Sequence, residues 1–150
     1  MMANQEDNPR RYRLPRSLIL RGRESFGLLF AEGRTIRSGT ILLKYRIAED
    51  SPSGRPPILT AFIVGRKHGR AVDRNRIRRL MRECWRHALP DLVETVAELP
   101  RTTLLDLGLV WTGPPAREAK GRLQQVCGDI ERGVTRLTAE LVRERTGMDR

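Results

Sequence analysis

Residues 65–88 read GRKHGRAVDRNRIRRLMRECWRHA, and nine of them are arginine or lysine against two acids, Asp73 and Glu83. A helix this dense in one sign of charge repels itself unless a polyanion meets it. On a 3.6-residue period the segment from Asp73 to Leu89 divides into two arcs. Ile77, Leu80, Met81, Cys84 and Ala88 recur at three- and four-residue steps as one apolar stripe. Arg74, Asn75, Arg78, Arg79, Arg82 and Arg86 fall together on the adjoining arc, with Trp85 at the border. The pattern predicts a helix docked on a core by its stripe and presenting arginines outward. Asp73 suits its start, as a cap or as a negative charge near the positive end of the dipole.

A solvated arginine-rich face is the plain reading of such a pattern. A face built almost wholly of arginine, with acids kept off it, favours a phosphate backbone instead, because the guanidinium is permanently charged and can grip two phosphate oxygens at once. The pattern does not choose RNA over DNA. With 150 residues the chain is most simply one domain with a real core. Its net charge of +11 points to nucleic acid first and an anionic membrane surface second. The helix carries an aliphatic stripe and not the aromatic one of an interfacial helix. No apolar run is long enough to span a bilayer and no signal-peptide pattern opens the chain, so the expectation is a cytoplasmic protein with no membrane partner.

Working outward toward the N-terminus, Ile58 to Val64 is an apolar strand, suited to a central position in a sheet. Glu49 to Pro57 (EDSPSGRPP) is a turn or hairpin loop rich in Pro, Ser and Gly. Thr40 to Ala48 alternates as a strand, with Ile41, Leu43, Tyr45 and Ile47 on one face and Leu42, Lys44 and Arg46 on the other, an oddly basic face for a sheet. Gly22 to Ala31 is a short helix on which Phe26, Leu29 and Phe30 share a side, closed by Gly33. Residues 1–13 are expected to be disordered, with a basic arm running from Arg10 to Arg16.

Toward the C-terminus, Pro90 is expected to break or bend the helix, with Asp91 to Leu99 as a separate short helical piece that Pro100 stops. Leu104 to Trp111 is a strand with Leu105, Leu107, Leu109 and Trp111 on one face. Gly113-Pro114-Pro115 turns into a long helix whose stripe is Ala116, Ala119, Leu123, Val126, Cys127, Ile130, Val134, Leu137 and Leu141. Gly121, Gly128 and Gly133 weaken that helix, so it must lean on tertiary packing. Residues 145–150 are expected to fray, leaving 14–144 as the folded domain. Helix, strands, basic helix, strand and helix in that order make a single-domain, two-layer α+β sandwich of a small sheet with helices.

Cys84 and Cys127 lie far apart on predicted helices and read as buried thiols of a reducing compartment; nothing in their spacing supports a disulfide. With two histidines in the chain they make no zinc pattern. His68 and His87, and the scattered Asp91, Asp106 and Asp129, form no constellation for a protein-based nuclease. His68 suits a phosphate contact or a surface position.

Arg66-Lys67 followed by GRAVDRNRIRRLMRE (Gly69 to Glu83) resembles the protein subunit of bacterial ribonuclease P. That family is marked by a small residue and two basic ones at a strand end, then G-x-A-V-x-R-N-R-[IV]-[KR]-R-[LM]-x-R-[EQ], and every position is filled here. The resemblance extends over roughly residues 14 to 140 and takes in the Phe26–Phe30 helix with Gly33, the hairpin and the strand around Asp106. It implies a ribosomal-protein-S5 domain-2-like fold with a left-handed β-α-β crossover, where general chirality would predict the right-handed form.

It also implies function. The ribonucleoprotein is an endoribonuclease that removes the 5′ leader of precursor tRNA. Its RNA subunit is catalytic, and the protein is an accessory subunit with no catalytic or metal-binding residue of its own. The implied partners are ribonuclease P RNA, at 1:1, and precursor tRNA. Mg2+ would be held mainly by the RNA subunit and the substrate. Carried over by position, the RNA-binding residues are Arg66, Lys67, Arg74, Asn75, Arg76, Arg78, Arg79 and Arg82, and Arg70 and Arg86 of the same basic stretch join them as candidates. The cleft for the single-stranded leader falls on Phe26, Phe30, Leu42, Lys44 and Arg46. Helical spacing alone would make the two phenylalanines ordinary core. Many relatives carry an aromatic residue where this chain has Lys44, which favours a phosphate contact over stacking at that point. The stretch Leu89 to Thr103 is longer than the family pattern and predicts an added helical turn or loop. The competing class is a non-enzymatic RNA-binding module of a ribosomal or nucleoid type, which would share the charge and the basic helix but not the full motif.

Overall fold

A computed structural model describes residues 14–48, 54–99, 103–115, 118 and 121–147. In chain order the elements are α1 (Arg23–Glu32), β1 (Arg34–Ser38), β2 (Ile41–Ala48), β3 (Ile58–Ile63), α2 (Ala71–Ala97), β4 (Leu104–Trp111) and α3 (Leu123–Gly147), with short 3-10 turns at Arg16–Leu18 and Arg66–His68. The strands form one mixed sheet in the order β1-β2-β4-β3. β1 and β2 are an antiparallel hairpin, β2 and β4 are antiparallel, and β3 and β4 are parallel neighbours joined through α2. This is the α+β sandwich that the order of elements predicted.

Alternation along the strands sorts the residues into two faces. Ile41, Leu43 and Tyr45 of β2, Leu105, Leu107, Leu109 and Trp111 of β4, and Ile58 and Phe62 of β3 form the inner face. They are buried against Ile77, Met81, Cys84, Trp85, Ala88 and Leu92 of α2 and Val126, Ile130, Val134, Leu137 and Leu141 of α3. The predicted stripe of α2, and that of α3 from Val126 to Leu141, are therefore core, whereas Leu123 at the start of α3 is exposed. Trp85, placed at the border by the helical wheel, is fully buried. The outer face carries α1 through a second, smaller cluster of Leu20, Leu29 and Ala61, with Phe26, Leu59 and Ile63 against it.

Several expectations are corrected by the structure. β1 was not legible: it is five residues long, and only Ile36 and Ser38 are buried. β2 and β3 do not pair, because β4 lies between them. β3, read as central, is at the edge of the four-stranded sheet. Its apolar character has another cause: α1 covers one face and α2 the other. Its open edge meets the N-terminal segment, through a parallel bridge between Ile19 and Thr60 and a 2.9 Å bond from Leu20 N–H to the Thr60 carbonyl.

Pro90 does not interrupt α2, which runs 27 residues to Ala97. Proline forfeits one intrahelical bond, and Leu92 and Val96 beyond it are buried and hold that end of α2 on the core. The long stretch after the motif is thus mostly a continuation of the same helix. α3 reaches Gly147, and Arg145, expected to fray, is buried. Ala116 and Ala119 of the predicted stripe, and Arg10 to Arg13 of the basic arm, lie outside the described residues.

Cys84 and Cys127 form a disulfide, with Cα atoms 4.7 Å apart across 43 residues of sequence. α2 and α3 run side by side in the same direction: His87, Asp91 and Thr95 face Glu131, Thr135 and Thr138 across a shallow groove. That parallel packing, invisible in the spacing of the two cysteines, brings them together.

Candidate nucleic-acid interface

The basic surface is built from the end of β3 and the first half of α2. Gly65 leaves the sheet, Arg66–His68 form one 3-10 turn, and Gly69 takes φ +130°, a conformation reserved for glycine. α2 then begins at Ala71, two residues before the start expected at Asp73. Asp73 is not the cap but the third helical residue, and its carboxylate accepts the Arg70 backbone N–H at 3.2 Å.

Arg66, Lys67, Arg70, Asn75, Arg76, Arg79 and Arg82 are exposed, and Arg74, Arg78 and Arg86 are half-buried. Arg78 donates to the Asn75 side-chain oxygen at 2.8 Å, Arg86 pairs with Glu83, and Arg82 lies 5.6 Å from the Phe62 ring centre. Among the described residues, Arg66, Lys67, Arg74, Arg76, Arg78, Arg79 and Arg82 have no carboxylate partner. Elsewhere the protein neutralises its arginines readily: Arg34 with Glu144, Arg132 with Asp129, Arg143 with Glu140. Cations left unpaired on one helix face are what a phosphate backbone requires.

His68, expected at the surface or on phosphate, is buried, and burial and the nearby Lys67 charge lower its pKa. It packs beneath the turn and does not reach outward.

The second surface lies on the other side of the sheet. The register sets its rows: Arg46 beside Asp106 beside Leu59, Lys44 beside Gly108 beside Ala61, and Leu42 beside Val110 beside Ile63. Gly108 lets α1 come close, since a Cβ there would meet Leu29 Cδ2 at 3.1 Å. Leu29 and Phe26 of α1 pack with Leu20 on the β3 residues of these rows, the α1 backbone lies nearest β2 and β4, and Leu42, Lys44 and Arg46 are half-buried beside it.

The two phenylalanines separate. Phe26 is packed against the Leu20–Leu29–Ala61 cluster, whereas Phe30 is 46% exposed with Lys44 Nζ 5.3 Å from its ring centre. Phe30 and Lys44 thus meet at the accessible side of α1. Arg46 is engaged already: its Nε lies 2.9 Å from Glu32 Oε2, and it reaches Asp106 at 3.7 Å. Asp106 is buried and also takes a 2.7 Å bond from Arg55. Sequence patterning gives Glu32 and Arg55 no role and Asp106 only a place in its strand; the sheet register sets Asp106 beside Arg46, Glu32 reaches Arg46 from the end of α1, and Arg55 reaches Asp106 from the segment before β3.

The turn joining β1 to β2 is held from α3. Thr40 donates to the Asp129 carboxylate through N–H at 2.9 Å and hydroxyl at 2.8 Å. Gly39 has φ +57°, and a Cβ there would collide with that carboxylate at 2.4 Å. Asp129 is thus structural. Among the described residues no three of His, Cys, Asp and Glu gather where they could hold a metal ion, and no helix is long and apolar enough to cross a membrane.

A family profile described as Ribonuclease P matches residues 14–100, which span α1, the hairpin, β3 and all of α2. The chain belongs to the ribonuclease P protein family. Among curated relatives, the ribonuclease P protein component of Chlorobaculum tepidum is 47% identical over 77 residues, covering 49% of each chain. That of Coprothermobacter proteolyticus is 34% identical over 95 residues, covering 61% of this chain and 72% of the relative. The match thus spans about half the length of the first of these relatives. The solved structure of the RNase P protein from Thermotoga maritima superposes with a TM-score of 0.59 at 22% identity, covering 79% of this chain and 96% of that one. At that identity the likeness establishes the fold.

Proposed function

We propose that this chain is the protein subunit of a ribonuclease P ribonucleoprotein, an endoribonuclease that frees the mature 5′ end of tRNA from its precursor. The observation that carries this is the complete family motif, in which Arg74, Arg76, Arg78, Arg79 and Arg82 of α2 lack carboxylate partners among the described residues. Arg66, Lys67, Arg74, Arg76, Arg79 and Arg82 position the protein on the RNA subunit through its phosphates. The cleft on the opposite sheet face takes the single-stranded leader, with Phe30 as a stacking platform and Lys44 as a phosphate contact. The sheet separates the two surfaces, so one protein can grip the RNA subunit and the substrate at once. Divalent ions such as Mg2+ would be held by RNA and substrate phosphates, where they would supply the metal-assisted hydrolysis.

A ribosomal or nucleoid RNA-binding module would use the basic face alone and give the open cleft no work. The stoichiometry is one protein per RNA, in the cytoplasm. Titrating the protein into ribonuclease P RNA tests the assembly: saturation at one equivalent, with salt-sensitive affinity well above that for an unrelated RNA of equal length, is expected. Equal affinity for both RNAs would contradict it.

A further inference from the structure

Glu32 is the last residue of α1, where the helix dipole disfavours a carboxylate and no basic residue of that turn offsets it. Helix stability does not account for it. Its partner comes from the sheet: Arg46 Nε at 2.9 Å. Arg46 is thereby held twice, by Glu32, whose side chain is 58% exposed, and by Asp106, whose side chain is 4% exposed. Lys44, on the same face and one row away, has no carboxylate partner among the described residues. One end of the cleft carries an open cation and the other an occupied one.

An ion pair with an exposed member is weak, while a guanidinium offers a phosphate two parallel bonds. A phosphodiester arriving along β2 can therefore take the place of Glu32 on Arg46, with Asp106 keeping the guanidinium aligned from below. We propose that Glu32 is an internal stand-in for a leader phosphate, and so a specificity-determining residue of the cleft. It screens Arg46 from adventitious anions and yields to a strand already engaged at Lys44 and Phe30. The proposal rests on the leader reading of the cleft given above.

The test reconstitutes the protein with ribonuclease P RNA and measures affinity for precursor and mature tRNA, using wild type, Glu32→Gln, Arg46→Ala and the double variant. Because an exposed pair is worth under about 1 kcal/mol, Glu32→Gln should tighten precursor binding about two- to fivefold. Mature tRNA binding should not change, and precursor binding should become more salt-dependent. In the Arg46→Ala background the substitution should have no effect. Unchanged or weaker precursor binding by Glu32→Gln, with a lowered melting temperature, would make the pair a simple brace for α1 and overturn the proposal. Tightening that persists without Arg46 would overturn it as well, as a general charge effect. A wild type that fails to prefer precursor over mature tRNA would remove the leader reading itself, and the proposal with it, before any variant is compared.

Discussion

The ammonium of Lys44 lies 5.3 Å from the centre of the Phe30 ring. A cation over an exposed aromatic face can meet a base and its phosphate together, and the ring is 46% exposed. Phe30→Ala should lower the preference for precursor over mature tRNA by roughly 1–3 kcal/mol while leaving the melting temperature nearly unchanged. Phe26→Ala should destabilise the fold, because Phe26 packs on Leu20 and Leu29. Equal effects of Phe30→Ala on both tRNAs, with loss of stability, would return Phe30 to the core.

On the opposite face, Arg74, Arg78 and Arg82 have no carboxylate partners among the described residues. Replacing all three with Ala should weaken binding to the RNA subunit and flatten its salt dependence by about 2–3 units of log–log slope, from about 0.7–0.9 per lost phosphate contact. Binding isotherms across salt concentrations check this. Weaker binding at an unchanged slope would mean that the arginines act through the fold.

The Cys84–Cys127 disulfide closes a loop of 43 residues between two helices of the core. On the loop-entropy account, a dithiol reductant or Cys84→Ser should lower stability by about 4 kcal/mol. Denaturant unfolding with and without reductant measures it. Identical midpoints would show that the bond contributes nothing to stability.

His68 is buried, and burial and then the Lys67 charge lower its pKa below the ordinary 6.5. As pH falls through that value the unfolded chain takes up a proton before the folded one does. Stability is therefore fully present above about pH 6.5 and declines below it, until the folded-state pKa is reached. In His68→Gln that part of the pH dependence should vanish, which thermal melts across the range would register.

The helical stripes and the β4 alternation were readable because burial repeats with the period of the element: Ile77, Met81, Cys84 and Ala88 on α2, and Leu105 through Trp111 on β4. β1 was not, since a five-residue edge strand with Arg34, Thr35 and Arg37 outward buries too little to leave a pattern. The continuity of α2 through Pro90 was hidden because local propensity argues for a break, while the burial of Leu92 and Val96 decides otherwise. The disulfide and the Glu32–Arg46–Asp106–Arg55 cluster depend on which elements lie side by side, and sequence spacing carries no trace of that. The motif arginines were legible as a face; that Arg74, Arg76, Arg78, Arg79 and Arg82 lack carboxylate partners among the described residues became visible only in the folded arrangement.

The central claim, that this chain assists a catalytic RNA in cleaving precursor tRNA, is tested most directly by single-turnover cleavage at low magnesium with ribonuclease P RNA, with and without the protein. The account predicts faster cleavage and tighter precursor binding when the protein is present, with the gain lost for substrate lacking all but a minimal leader. Cleavage no faster than with RNA alone, across magnesium and salt concentrations, would contradict it.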